Sequence, residues 1–291
     1  MRDFSTSPEW LAINTATVRK QWTLPQIIEA CARHGIRAIS PWRDQVAECG
    51  LQVASRLIRE TGIKLSGYCR GGMFPAADEA GLAAALDDNF RAVDEACELG
   101  SPCLVLVVGA LPGALEGRAV HRDIDRSRAQ VTDGIARLLE YARPRKMPLA
   151  IEPLHPMYAA DRACVNTLEQ ALDICDALDA NTGAGDVALG VAVDVYHVWW
   201  DPKLHEQIHR AGARRLLAFH VCDWLTPTTD LLLDRGMMGD GVIDLRKIRA
   251  SMEAAGYAGF SEVEIFSASN WWQRPGDEVL TTCIERHRTV V

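Results

Sequence analysis

The chain has 291 residues, 48% of them hydrophobic, and a net charge of −8, which is enough for one large α/β barrel or two ordinary domains with a sizeable core. The acidic balance lacks the basic footprint of non-specific nucleic-acid binding and opposes docking on anionic membranes. The start Met1-Arg2-Asp3-Phe4 lacks a signal peptide's apolar region, no apolar stretch reaches transmembrane length, and the nine cysteines contain no C-x-x-C pair, so a cytoplasmic protein with reduced thiols is expected.

Short apolar runs alternate with longer stretches of helical period. In chain order, the sequence predicts a strand at Leu11–Thr15, then a helix at Leu24–His34 entered through Thr23 and stopped by Gly35. A strand at Ala38–Pro41 and a helix at Gln45–Thr61 follow. Next come a strand at Lys64–Tyr68 and a helix at Gly81–Leu99. Strands are then expected at Cys103–Val108, Leu149–Glu152, Leu189–Asp194, Leu216–Val221 and Ser261–Ile265. The helices between and after them are predicted at Asp123–Ala142, Thr167–Leu178, Leu204–Ala211, Asp244–Ala255 and Gly276–Arg288. Eight alternating units imply a parallel sheet, and their count fits a single (β/α)8 TIM barrel spanning residues 1–291. No linker divides the chain, and neither a dinucleotide fingerprint nor a P-loop is present.

Four of the apolar runs lead into metal-ligand residues: Glu152, Asp194, His220 and Glu264. In parallel α/β folds, functional groups gather at strand C-termini. Three carboxylates and one imidazole from successive strands can converge on one divalent ion. The hard, oxygen-rich set suits manganese first, with magnesium, cobalt or zinc as alternatives. Glu262 competes with Glu264, since residues two apart face the same side of a strand. Glu264 is preferred because it lies nearer the C-terminal face.

The loops after the strands hold six of the eight tryptophans. An aromatic mouth ringed by polar groups suits a polyhydroxy ligand such as a sugar or cyclitol. Expected substrate contacts are Trp42, Arg70, His155, His197, Asp223, Trp224, Arg235 and Trp271. The glycine-containing segment from Arg235 to Asp244 suggests a lid. Arg43 and Arg70 are placed to meet a phosphate, although no glycine-rich phosphate loop accompanies them. Cys222 is expected to be buried filler, and surface tryptophans are compatible with a homo-oligomer.

With those residues placed, the chain resembles the xylose isomerase-like TIM-barrel superfamily. More narrowly, it is similar to the sugar phosphate isomerase/epimerase branch, which includes ketose 3-epimerases, hydroxypyruvate isomerase and inosose dehydratase. The resemblance rests on Ile151-Glu152-Pro153, Val193-Asp194-x-x-His197, His220-x-x-Asp223, the loop Gly239 to Asp244, and Gly256-Tyr257-Ala258-Gly259 followed by Val263-Glu264. It implies one divalent metal on the four ligands, commonly manganese, and proton transfer by Glu152 and Glu264. It also implies a substrate contact by His197. The epimerases carry a further acidic contact shortly after the first glutamate; here the stretch Pro153 to Arg162 offers His155 as an added titratable group.

The expected function is that of a metal-dependent isomerase or epimerase of a sugar or related polyhydroxy carbonyl compound, working through an enediolate. The alternatives are an inosose dehydratase-like lyase acting on a keto-cyclitol or keto-sugar, and a non-catalytic sugar-binding barrel. A repair nuclease like endonuclease IV is opposed by the acidic charge and by the lack of His, Asp or Glu at the ends of the first four strands.

Overall fold

The computed structural model describes residues 2–179 and 188–291. Its strands are β1 (Leu11–Asn14), β2 (Ala38–Ser40), β3 (Lys64–Leu65), β4 (Tyr68–Gly72), β5 (Leu104–Val107), β6 (Leu149–Ile151), β7 (Leu189–Asp194), β8 (Leu216–Val221), β9 (Asp223–Trp224), β10 (Arg235–Gly236) and β11 (Ser261–Val263). One parallel sheet runs β3-β2-β1-β11-β8-β7-β6-β5-β4. The short pair β9–β10 is antiparallel and stands apart from it.

The sheet is a (β/α)8 barrel, because β3 and β4 are two halves of one barrel strand. In a regular strand, residues two apart bond the same neighbour. Here the Ser66 N–H donates to Ile39 of β2 at 3.0 Å, whereas the Tyr68 N–H donates to Cys103, just before β5, at 3.1 Å. The backbone changes partner across Gly67. A parallel bridge between Trp42 and Cys69, with the Cys69 N–H on the Pro41 carbonyl at 3.0 Å, joins the two edges. The strand then continues to Gly72, beyond the predicted end at Tyr68. Gly72 has φ +108°, and a Cβ there would lie 2.0 Å from the Val107 carbonyl oxygen, so no larger residue fits.

Strand alternation decides what fills the barrel. Ala150 and Glu152, Ala192 and Asp194, Ala218 and His220, and Glu262 and Glu264 are pairs two apart on four adjacent strands. The three alanines belong to a small buried cluster with Cys69, Cys103 and Val105. Small side chains one layer down leave room for the larger polar groups above.

The helices wrap the outside through amphipathic faces. In the helix Leu24–Arg33, Leu24, Ile27, Ile28 and Cys31 are all buried, at helical spacing. The predicted helix Gln45–Thr61 is two helices, Arg43–Cys49 and Leu51–Thr61, because Gly50 takes φ 87° between them. The predicted helix Leu204–Ala211 runs on to Arg215 through Gly212, at φ 57°. Among the described residues, no helix is long and apolar enough to cross a membrane.

The C-terminal helix, Gly276–Thr289, buries His287 against Phe4, with ring centroids 4.3 Å apart. Neither ring nitrogen has a hydrogen-bond partner. Burial, helped by the charges of Arg249 and Arg2, pushes the imidazole down from 6.5 to about 3. The unfolded chain therefore takes up a proton that the fold refuses, and stability is lost as pH falls below 6.5. At pH 5 this costs about 2 kcal/mol. His287→Phe keeps the stack and is expected to recover about that much at pH 5 and little at pH 8. Melting curves at the two pH values check it, and an equal effect at both would refute neutral burial.

Candidate active site

Glu152 and Glu264 follow the last residues of β6 and β11, Asp194 ends β7, and His220 lies one residue before the end of β8. One donor atom from each of the four lies within 4.8 Å of all the others, and all four residues are buried. His220 Nδ1 is 2.9 Å from Glu152 Oε1 and 3.8 Å from Glu264 Oε2. Yet Glu152 Oε1 and both imidazole nitrogens of His220 lack a well-directed hydrogen bond. Three carboxylates gathered away from water repel one another unless cations intervene. Orphaned donor atoms on a set of three carboxylates and one imidazole fit a single divalent ion.

Depth separates the two glutamates of the last strand. Glu262 sits one layer lower, 1% exposed. Its Oε1 accepts from Asn14 Nδ2 at 2.8 Å and its Oε2 from Ser66 Oγ at 2.8 Å. Glu262 Oε1 is also 3.4 Å from His220 Nε2, so it supports the imidazole from below. Asn14 Nδ2 reaches Glu264 Oε1 as well, at 3.0 Å, and Asn14 Oδ1 accepts from Trp42 Nε1 at 2.7 Å. Asn14 ends β1 as the four candidate ligands end their strands. Its position carried that signal, but an amide is a weak metal ligand.

Arg235 enters this cluster from β10. Its Nη1 donates to Asp194 Oδ2 and to Glu264 Oε2, both at 3.0 Å. Its guanidinium stacks 4.4 Å from the Tyr196 ring centre. Burial opposes the Arg235 charge, but Asp194 and Glu264 hold it firmly protonated. Burial also pushes the Glu264 carboxyl up to about 8, against the pull of Arg235 and with a further push from Glu152. For Asp194, burial is outweighed by Arg235, His197 and His220, and its carboxyl stays below the usual range. Burial drives His197 down to about 3, so that ring is neutral. Its Nδ1 accepts the His155 N–H at 3.2 Å, while Nε2 lies 3.1 Å from Arg235 Nη2.

Above the cluster lies a cavity open to solvent. Glu152, Glu264, Trp42, Arg70, His197 and Arg235 line it, as the sequence suggested. His155, Asp223, Trp224 and Trp271 do not. His155 stacks on Trp224 with centroids 4.7 Å apart, and Trp224 packs on Tyr196. Trp271 is 4% exposed, beneath the Arg274 guanidinium.

Asp223 is a loop clamp. Its carboxylate accepts the N–H groups of Trp224, Gly239 and Ile243 at 2.9, 2.9 and 3.0 Å. Met237 and Met238 are fully buried, so the expected lid is packed down and hydrogen-bonded to Asp223 in this structure. Residues absent from the sequence-based list also line the cavity, notably Met73, Tyr158, Arg162 and Leu232. They come from loops whose paths no periodicity reveals. Arg43 does not line this cavity and is engaged by Asp88 and Glu95.

The chain belongs to the xylose isomerase-like TIM barrel family, whose model matches residues 28–283. A crystal structure of a protein from Sinorhizobium meliloti 1021 is 58% identical, with a TM-score of 0.92 over 98% of this chain and 99% of the other. Inosose isomerase of Halalkalibacterium halodurans is 23% identical over 280 residues, 94% of this chain and 93% of the relative. A structure of the IolI protein with a bound zinc atom is 21% identical, with a TM-score of 0.78 over 97% of each chain, a likeness of fold.

Proposed function

We propose that this protein is a divalent-metal-dependent isomerase or epimerase of a sugar or related polyhydroxy carbonyl compound. The observation that carries this reading is that Glu152 and Glu264, from strands separated by β7 and β8, present buried carboxylates to one cavity. The inosose isomerase relative makes keto-cyclitols the first compounds to try. The zinc in the IolI structure keeps zinc beside manganese as a candidate ion.

Glu152, Asp194, His220 and Glu264 would hold the ion. When bound, it supplies a Lewis acid that stabilises negative charge on substrate oxygens. One of the two glutamates removes the proton next to the substrate carbonyl, and the other carboxyl returns it. Return at the neighbouring carbon gives an isomer; return on the opposite face gives an epimer. Arg235 orients Glu264 through its 3.0 Å bond. Neutral His197 is an uncharged polar contact on the wall. Trp42, packed edge-on against Phe266 at 5.5 Å, keeps water from that side.

The lyase alternative has less support. It needs an acid for the leaving hydroxyl, but His155 faces Trp224 outside the cavity and His197 resists protonation. The test is solvent deuterium exchange into ketoses and keto-cyclitols by the metal-reconstituted protein, followed by NMR. Deuterium is expected at the carbon next to the carbonyl, and chelation should abolish it. No exchange with any compound, together with no bound metal, would overturn the proposal.

A further inference from the structure

The cavity has a second charged region, which the proton-transfer chemistry does not use. Arg70, on β4, and Arg162, in the loop after β6, both line it. Among the described residues, neither makes an ion pair. The Arg162 guanidinium makes a cation–π contact with Tyr158, at 5.7 Å. Burial disfavours the charged form of Arg70, and the like charge of Arg162 disfavours it further, outweighing the pull of Glu152. The acids of the adjoining cavity that Arg70 also borders are engaged elsewhere. Asp88 is held by Arg43 at 2.8 Å, and Asp44 is bonded to Arg19.

Two guanidiniums that repel each other in a half-buried site are unfavourable unless the ligand supplies negative charge. Charge balance points the same way. Glu152, Asp194, Glu264 and, one layer lower, Glu262 offer four negative charges, and a divalent ion with Arg235 brings +3, so the cluster can balance one further positive charge and no more. Arg70 and Arg162 add two positive charges, and even with Glu152 attracting Arg70 one of them is left over. The walls between are apolar, including Met73, Val107 and Leu154.

We infer that the substrate is an anionic polyhydroxy carbonyl compound, a keto-sugar bearing a carboxylate or phosphate that Arg70 and Arg162 grip together. This rests on the proposed isomerase reading and narrows its substrate class. Arginine forks suit either oxyanion.

The test is calorimetric binding of D-fructose, D-fructose 6-phosphate and 5-keto-D-gluconate to the metal-reconstituted protein, with deuterium exchange measured in parallel. At least one anion is expected to bind roughly tenfold or more tighter than fructose. The better anion tells phosphate from carboxylate. Arg70→Gln and Arg162→Gln should each remove most of that preference, and Arg70→Lys should keep part of it. Arg162→Gln, in a loop, guards against a folding defect in the strand variant. If neither anion binds more tightly than fructose, or if both glutamine variants keep the preference, the anion site is overturned. Exchange on fructose without anion preference would leave the isomerase reading standing and this inference fallen. Arginine-dependent anion binding with neither exchange on any compound nor bound metal would keep the anion site and overturn the isomerase reading.

Discussion

Glu152→Gln is expected to slow α-proton exchange by roughly 10²–10⁴-fold and to weaken divalent-ion binding by roughly tenfold or more. The side chain is 5% exposed and keeps its size in the variant, so the loss is one of charge and basicity. An amide cannot take up the substrate proton, and it removes one of three negative charges around the ion. Asp194→Asn should weaken ion binding in the same way while leaving both proton-transfer carboxylates in place. Wild-type protein is expected to carry about one divalent ion per chain by emission spectrometry. Full ion affinity in both variants would dismiss the metal centre. Undiminished exchange in Glu152→Gln would remove that residue from proton transfer.

Arg235→Met gives the second large effect, and its size depends on the ion. In metal-free protein the guanidinium bridges Asp194 and Glu264 at 3.0 Å to each. Removing it leaves two buried carboxylates facing each other, a loss of about 3–5 kcal/mol. Protonation of Glu264, already raised to about 8, is the escape open to the pair. A raised carboxyl contributes stability that is lost as pH rises through its folded value, so the variant should be weaker at pH 9 than at pH 6. Saturating Mn²⁺ should restore most of the melting temperature, because the ion takes over the neutralising role. A metal-free variant that melts like wild type at pH 9 would refute the role assigned to Arg235.

The barrel was readable because its signals are local. Most strands are short apolar runs, the barrel strands of the C-terminal half meet a polar residue at or beside their end that breaks the run, and Gly35, Gly62 and Gly100 mark helix ends through positive φ. The four clustered residues follow from parallel register, since adjacent strands set Asp194 beside His220 and carry Glu152 and Glu264 at the same C-terminal face. Glu262 and Glu264 could be ordered only by depth, which the 2.8 Å bonds of Glu262 to Asn14 and Ser66 now explain.

The expected contacts that lie away from the cavity lining, His155, Asp223, Trp224 and Trp271, share a cause. Strand ends place a residue at the mouth but do not say which way its loop turns. His155 and Trp224 turned toward each other, and Trp271 turned into the core. Asp223 turned back on its own loop, so glycines that permit mobility instead serve tight turns in a clamped wall. Gly50 split a helix because helical period on either side hides a single residue of positive φ. Arg70 and Arg43 looked alike in sequence; only the positions of Asp88 and Glu95 on a distant helix distinguish them.

Asn14 joins parts of the chain that lie nearly 250 residues apart. Its one amide meets Glu262, Glu264 and the Trp42 indole at once. No single replacement can serve all three, and changes at these positions will not add. The floor beneath the four clustered residues is therefore coupled as one unit. Among related chains, Asn14, Trp42 and Glu262 should be kept together or lost together, and a lineage that changes one should reveal the compensating change in the other two.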